Sequence, residues 1–249
     1  MPAELHEPRA LAEVDERIEA LSSSGWRADP AQLLRLIIGL WLFGSGEALL
    51  VVAELGNSPW TVLAGGAAKQ TGWNIGTATI VISFCVLLIW IPLRERPGLG
   101  TVLNAVVIGV SLGVTADLLS TPDAIVARWA LMLGGIALVG VGSGIYINAA
   151  LGRGPRDGLM TGLHLRTGFP IAGVRAGIEL TALVSGIVLG GVAGIGTIAF
   201  ALLIGPAVAL ALRVLPARRR SCTGTVSARC GSGHRSGRTA SPPSARHRR

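Results

Sequence analysis

The chain has 249 residues, of which 50% are apolar and 14% are charged, with a mean hydropathy of +0.58. These values are typical of a membrane protein, and they exclude a soluble enzyme, a disordered chain and a disulfide-stabilised secreted domain. The net charge of +8 comes from the end of the chain, because residues 216–249 hold nine Arg and no Asp or Glu. The rest of the chain is nearly neutral.

The first 32 residues are predicted to form an acidic cytoplasmic segment. Residues 1–29 hold seven Asp or Glu against three Arg, and apolar residues between 11 and 21 follow helical spacing, which predicts a short amphipathic helix. No basic segment followed by an apolar one indicates a cleavable signal peptide. Asp29 and Pro30 are typical of a helix start, with Asp as the cap and Pro in the first turn.

Apolar stretches of about twenty residues, the length that crosses a bilayer, predict six membrane-spanning helices. Their bounds are 33–54, 74–93, 99–119, 129–150, 171–190 and 195–215. Two longer connections, 55–73 and 151–170, are neither apolar enough to span nor polar enough to be plain loops. The predicted fold is an all-α, polytopic transmembrane helix bundle over 33–215, followed by a tail over 216–249.

The basic residues predict how these spans are oriented. With the N-terminus in the cytoplasm, 20 of the 22 Lys and Arg lie on that side, and only Lys69 and Arg128 lie outside. This is a strong positive-inside pattern, so both termini are expected in the cytoplasm. Five tryptophans stand near the predicted interfaces, and we expect them to form an aromatic belt there: Trp26, Trp60, Trp73, Trp90 and Trp129.

The tail over 216–249 is rich in Ser, Gly, Pro and Arg, which predicts disorder. We expect it to lie in solvent near anionic lipid headgroups. An RNA-binding or regulatory role is the alternative, but no aromatic residue is interleaved to stack on bases, so no nucleic-acid partner is expected. Cys222, Cys230 and His234 lack the spacing of a zinc site, and neither a metal nor a cofactor is expected.

An internal repeat is the most informative feature of the sequence. With a shift of 96 residues, 39–119 aligns with 135–215 without a gap, and 24 of 81 positions are identical. The identities concentrate in glycines and turns, which apolar composition alone does not place in register, so they indicate a duplication. Each unit holds three spans, an odd number, so the second unit is expected to be inverted. Inverted repeats are common in secondary transporters, although duplication is also a simple way to make any membrane bundle.

Each longer connection is predicted to hold a short helix that begins at a proline. Such a helix is too short to cross the bilayer, so it lies at the interface or re-enters the membrane. If it re-enters, the unpaired N–H groups at its N-terminus favour an anionic group. The candidate residues at these two N-termini are Ser58, Pro59, Trp60, Pro155, Arg156 and Asp157.

Polar residues inside the spans are the other candidates for coupling or substrate binding. Glu47 lies near the middle of the first span and Glu179 within the fifth, where a charged carboxylate costs at least ~2.5 kcal/mol on insertion scales. Arg175 precedes Glu179 by four residues, so the two can pair on one helix face. Glu47 has no such partner, and its equivalent in the second unit is Ser143, so it is the favoured proton- or cation-coupling group. Asn104 is expected to form hydrogen bonds between helices.

Glycines spaced four residues apart are expected to let helices approach closely. Three such pairs within the spans are Gly109 and Gly113, Gly173 and Gly177, and Gly186 and Gly190.

Several turn segments resemble a known family. The runs are LGNSPW at 55–60, RERPGLGTVLN at 94–104 and, most specific, GPRDGLM at 154–160. They resemble the YczE/YitT-type bacterial membrane proteins over about 33–215. The resemblance implies a multi-pass protein of the bacterial cytoplasmic membrane, but it implies no chemistry, because that family is largely uncharacterised. Thr61 stands where many of its members carry an acidic residue.

No enzyme signature for metal, nucleotide or nucleophilic chemistry is present, so we do not expect an enzyme. We expect a transporter of a small solute that works by alternating access, with the bilayer and a coupling cation as further partners. The alternative is a non-transporting membrane scaffold or accessory protein. A sealed interior with Glu47 hydrogen-bonded to Asn104 would favour the scaffold. A polar cavity at mid-depth in the membrane, bounded by both short helices, would favour transport.

Overall fold

The computed structural model describes residues 28–95 and 97–215. Within these residues the chain forms eight helices and no strand. The helices are α1 (Pro30–Ala53), α2 (Pro59–Thr71), α3 (Ile75–Leu93), α4 (Leu99–Leu118), α5 (Ile125–Ala149), α6 (Pro155–Thr167), α7 (Ile171–Val188) and α8 (Ile195–Val214). The predicted amphipathic helix within 1–29 and the predicted disordered tail over 216–249 lie outside the described residues.

Six of these helices, α1, α3, α4, α5, α7 and α8, are long and apolar enough to cross a membrane. Their ends agree with the predicted spans to within four residues, and the largest difference is the start of α5 at Ile125. Helix α1 begins at Pro30 because Asp29 caps it, with the Asp29 backbone N–H donating to Oε1 of Gln32 at 3.3 Å. The predicted all-α bundle with six candidate spans is confirmed.

Helices α2 and α6 are the two predicted short helices, and each begins at its proline. Ser58 caps α2, its Oγ accepting a hydrogen bond from the N–H of Thr61 at 3.4 Å. Gly154 stands at the cap of α6 and has no side chain to offer. Both helices end at a glycine with positive φ, Gly72 at 74° and Gly168 at 70°. Few residues other than glycine adopt that conformation, so both helices stop at equivalent positions.

The two sequence repeats have the same local structure. Shifting α2 by 96 residues gives α6, and shifting α4 gives α8, at both ends. The N–H of Gly100 donates to the carbonyl of Leu151 at 2.9 Å, and the N–H of Gly196 donates to the carbonyl of Leu55 at 2.8 Å. These two hydrogen bonds exchange under the same shift, as a two-fold relation between the units requires.

The equivalent helices α1 and α5 pack against each other in an antiparallel arrangement. A Cβ atom on Gly46 would lie 2.8 Å from the carbonyl oxygen of Gly135, and one on Gly142 would lie 2.7 Å from that of Gly39. The four glycines exchange under the shift of 96, and they allow the two backbones to touch. An inverted repeat requires this antiparallel relation. How each unit faces a bilayer stays a prediction.

Trp90 lies inside the bundle, so the expectation that it sits at a membrane interface is wrong. Its side chain is 3% exposed, and its indole N–H donates to the carbonyl of Pro155 at 3.0 Å. Gly158 leaves room for the ring, because a Cβ atom there would overlap it. An indole needs a partner for its N–H as well as apolar surroundings, and helix α6 provides both. Trp73 and Trp129 are exposed.

Candidate functional site

A cavity of about 540 Å³ lies between the two units, at the N-termini of both short helices. Its volume is in the range of small-molecule sites. The short helix α2 contributes Ser58, Pro59 and Trp60, and α6 contributes Arg156 and Asp157. The long helices supply mainly apolar side chains, among them Phe43, Ile108, Val139, Ile147, Phe200 and Ile204. Both predicted short-helix N-termini therefore reach one shared cavity.

Arg156 and Trp60 are in contact across the cavity wall. The Cζ atom of Arg156 lies 4.9 Å from the centroid of the Trp60 ring, which is a cation–π distance. The two residues are equivalent under the shift of 96, so the contact joins matching positions of the two units. Burial lowers the pKa of Arg156, and the negative charge of Glu47 opposes this. A guanidinium nevertheless keeps its positive charge in a protein.

Asp157 is held by a tyrosine of the neighbouring helix α5. The Tyr146 hydroxyl donates to Oδ2 of Asp157 at 3.1 Å. Burial raises the pKa of the Asp157 carboxyl, and the Tyr146 hydrogen bond opposes that shift. Sequence reasoning did not single out Tyr146. It is the chain's one tyrosine and lies within an apolar span, and this isolation is the signal that could have found it.

Glu47 lies beside the cavity and is 1% exposed. The hydroxyls of Ser58 and Thr61 both donate to its Oε2, at 2.8 and 2.6 Å. Because both hydroxyls belong to the first turn of α2, the carboxyl group sits at a helix N-terminus, where the backbone dipole favours negative charge. Its Oε1, like Oδ1 of Asn57, is buried without a hydrogen-bond partner. Sequence reasoning singled out Glu47 but missed its partner Thr61.

The other predicted site residues line the cavity separately. Asn104 faces the start of α6, since a Cβ atom on Gly154 would lie 3.2 Å from its Nδ2. It is not hydrogen-bonded to Glu47, whose partners are Ser58 and Thr61, so the hydrogen bond expected of a scaffold is not observed. The cavity is bounded by both short helices, as expected of a transporter, but its wall is mainly apolar rather than polar. Nε of Arg175 donates to Oε1 of Glu179 at 3.0 Å, an ion pair at the predicted spacing, and both side chains are partly exposed.

The two units differ in how their last two long helices pack. In the first unit α3 packs on α4, and a Cβ atom on Gly109 would overlap the Ile80 side chain. In the second unit the equivalent Gly205 has no atom within 4 Å of its Cβ position and lines the cavity between α7 and α8. Ala105 is 1% exposed, whereas its equivalent Ala201 is exposed in the cavity. Identical residues at equivalent positions thus have opposite environments.

The groups that line the cavity are suited to binding a ligand. Within residues 28–95 and 97–215, no three His, Cys, Asp or Glu side chains lie close enough together to hold a metal ion. The lining combines the guanidinium groups of three arginines, two ion-paired or hydrogen-bonded carboxyl groups and a largely apolar wall. Such a lining can bind a ligand by charge, hydrogen bonds and apolar contact.

Comparison with known proteins identifies the family. Residues 30–213 match a family of unknown function, DUF6198. The chain belongs to this family. An uncharacterised protein of Haemophilus influenzae is 42% identical over 194 residues, which cover 78% of this chain and 89% of the relative. The uncharacterised membrane protein YczE of Bacillus subtilis is 33% identical over 169 residues, which cover 67% and 79%. No solved structure matches the chain.

Membership confirms the resemblance that the turn segments carried. The protein is a YczE-type membrane protein of the DUF6198 family. The matched range contains all six candidate spans and both short helices, and it stops short of the arginine-rich tail. The family description and the relatives' names assign no activity, so the cavity itself is the best guide to function.

Proposed function

We propose that the protein is a secondary transporter that moves a small solute across the bacterial cytoplasmic membrane and performs no enzymatic chemistry. The observation that supports this proposal best is the cavity shared by the two units. Helices α7 and α8 both line it and leave a gap between them, whereas the equivalent helices α3 and α4 pack closely together. Alternating access needs a binding cavity that reaches one side of the membrane at a time.

In the orientation that the basic residues predict, the open gap faces the cytoplasm. Arg175, near the start of α7, and Leu212, near the end of α8, both line the cavity, and both of these helix ends are predicted to be cytoplasmic. The equivalent gap in the first unit would face outside. If the two units exchanged arrangements, access to the cavity would move from one side to the other.

Glu47 is the residue that we propose for coupling. It touches the cavity lining through Ser58, and its Oε1 is free to take up a proton or contact a cation. Neutralising the carboxylate would weaken its attraction to the N-terminus of α2. Trp60 stands at the same end of α2 and lines the cavity. A change in the charge of Glu47 would therefore change the position of Trp60.

Thiol labelling of an equivalent pair of positions tests this function. Ala201→Cys and Ala105→Cys are made singly in a chain with Cys85, Cys222 and Cys230 changed to Ser. Each variant is treated with a membrane-impermeant thiol reagent from either side of the membrane, in spheroplasts and in inverted vesicles. We expect position 201 to react from the cytoplasmic side alone and position 105 to be largely protected.

The competing functions give other patterns. A channel would let the reagent reach position 201 from both sides. A sealed scaffold, the alternative that the sequence left open, would leave both positions unreactive. Either pattern would contradict the transporter.

A further inference from the structure

We propose that the cavity binds an organic anion, a solute with one carboxylate or sulfonate group on an apolar body. This inference rests on the proposed function and adds the class of solute. It follows from how the charged groups of the lining are paired, with Arg156 held on Trp60 and presented to an apolar space.

Arg156 differs from the other charged side chains of the lining in its hydrogen bonds and ion pairs. Among the charged side chains that line the cavity in the described part of the chain, Asp157 accepts from Tyr146 and Arg175 pairs with Glu179. Arg153 also has a partner. Arg156 stacks on an aromatic ring and forms no hydrogen bond or ion pair with a described residue. A partly buried guanidinium of this kind is stabilised when an anionic ligand accepts its N–H groups.

The guanidinium group of Arg156 favours an anion that presents two neighbouring oxygens. The Cζ atom of Arg156 lies over the Trp60 ring, and the guanidinium group is itself a planar fork of N–H groups that can form two parallel hydrogen bonds to a carboxylate or sulfonate. The N-terminus of α6 begins beside it at Gly154, where no side chain caps the first N–H groups. Both features add positive potential at the same end of the cavity.

The remaining lining is suited to an apolar body. Phe43, Ile108, Val139, Met160 and Phe200 surround the space next to Arg156. A volume of about 540 Å³ is far larger than an inorganic anion requires, and burying apolar surface of a ligand stabilises it by roughly 25 cal/mol per Å². A solute that places its charge at Arg156 and its body against these side chains uses the whole cavity.

A matched series of probes tests this solute class. Benzenesulfonate, benzoate, benzamide and benzyltrimethylammonium share one ring and differ in charge. They are titrated calorimetrically into the purified protein in nanodiscs of zwitterionic lipid. We expect the two anions to bind at least about tenfold more tightly than the neutral and cationic probes. Equal or tighter binding of the amide or the ammonium compound would overturn the proposal.

Variants of the arginine make the test specific. Arg156→Gln should weaken anion binding by about tenfold or more. Arg156→Lys keeps the charge but loses the planar fork, so its affinity for the anions should lie between those of the parent and the Gln variant. Arg166→Gln, on the same helix but exposed and away from the cavity, is the control and should bind like the parent. Unchanged anion binding in a folded Arg156→Gln protein, judged by its melting temperature, would overturn the proposal.

Two further comparisons show whether the anion comes from the membrane or from solution, and whether the solute class or the transporter function is at fault if a test fails. Competition by an anionic phospholipid added to the nanodiscs would assign the ligand to the membrane, and its absence would assign it to the aqueous solute. Binding at equilibrium does not require transport. Arg156-dependent anion binding together with two-sided labelling of position 201 would contradict the transporter and leave the solute class standing. Preferred binding of the ammonium probe with one-sided labelling would do the reverse.

Discussion

At the scale of single residues, Glu47 shows how a buried carboxyl group is accommodated by a neighbouring element. Its own helix, α1, offers it no partner within helical reach. The first turn of α2 supplies two hydroxyls instead, from Ser58 and Thr61. The sequence could single out Glu47, because a carboxylate in an apolar span is costly. It could not supply the partners, which depend on how α2 packs against α1.

Glu47→Gln is expected to keep the fold and lose coupling. The amide oxygen of Gln can still accept from Ser58 and Thr61, but the side chain cannot take up a proton or carry charge. In proteoliposomes loaded for exchange of benzenesulfonate, the variant should exchange the solute at a similar rate to the parent. It should fail to accumulate the solute under a cation or proton gradient.

The control for this experiment is Glu54→Gln. Glu54 is exposed at the end of α1, where it pairs with Arg128, so both exchange and accumulation should be retained. Accumulation by the Glu47→Gln protein at the parent level would contradict the coupling role.

Asp157→Asn is expected to stabilise the protein at neutral pH. Because burial raises the pKa of Asp157, the ionised form is less favourable in the folded protein than in the unfolded chain. Stability is therefore lost as the pH rises from about 4, the ordinary Asp value, through the raised pKa. Asparagine still accepts from Tyr146 but does not ionise, so the loss should disappear.

Melting temperatures in detergent between pH 4 and 8 measure this effect. The parent and Asp157→Asn proteins should converge at the acid end and separate as the pH rises. Asp123→Asn, in an exposed connection, is the control and should follow the parent. A variant less stable than the parent at neutral pH would show that the ionised carboxylate is stabilising.

At the scale of helices, similar glycine motifs have different roles. Gly109 and Gly186 lie in tight contacts, as their spacing predicted, with α3 and with Leu63 of α2. Gly173 and Gly177 have the same spacing, but no atom lies within 4 Å of their Cβ positions. The expected close packing there is not observed. The glycine spacing shows where a second helix could pack closely. Whether a close contact forms there depends on the position of the neighbouring helix.

Gly44→Ala tests the packing of α1 on α4. A Cβ atom at this position would overlap Oγ of Ser111 and lie 2.5 Å from the carbonyl oxygen of Ile108, so the helices must separate. We expect a loss of about 1–3 kcal/mol in the free energy of unfolding. Gly134→Ala, with no atom within 4 Å, should be neutral or slightly stabilising, because alanine favours helix by about 1 kcal/mol.

Reversible unfolding in mixed detergent micelles compares the two glycine variants with the parent. Equal stability of the Gly44 and Gly134 variants would show that α1 and α4 are not as close as the structure has them.

The short helices could be located from sequence, but their surroundings could not. Prolines after a cap residue predicted where α2 and α6 begin, and both helices start there. Whether they lie at the interface or reach inward was left open, since a sequence of mixed polarity suits either. Their N-termini line an internal cavity. Trp90 was misplaced for the same reason: its partner, the carbonyl of Pro155, is far away in the chain.

At the scale of the whole molecule, the duplication could be predicted from glycines and turns that occur a second time after a shift of 96 residues. The structure adds the exchanged hydrogen bonds at Gly100 and Gly196 and the antiparallel contact of α1 with α5. The difference between the two units could not be predicted. Gly109 and Gly205 occupy equivalent positions in the repeat, and only the positions of α3 and α7 decide that one is covered and the other open.

The proposed transport mechanism requires the second unit to be an inverted copy of the first, so that equivalent positions face opposite sides of the membrane. Thr71 and Thr167, the last residues of α2 and α6, are an identical exposed pair, and each donates its hydroxyl to a backbone carbonyl four residues earlier. In the cysteine-free chain, Thr71→Cys and Thr167→Cys are labelled with an impermeant thiol reagent from each side. We predict reaction of position 71 from outside and of position 167 from the cytoplasm. Reaction of both from the same side would contradict the inverted repeat and the transport mechanism built on it.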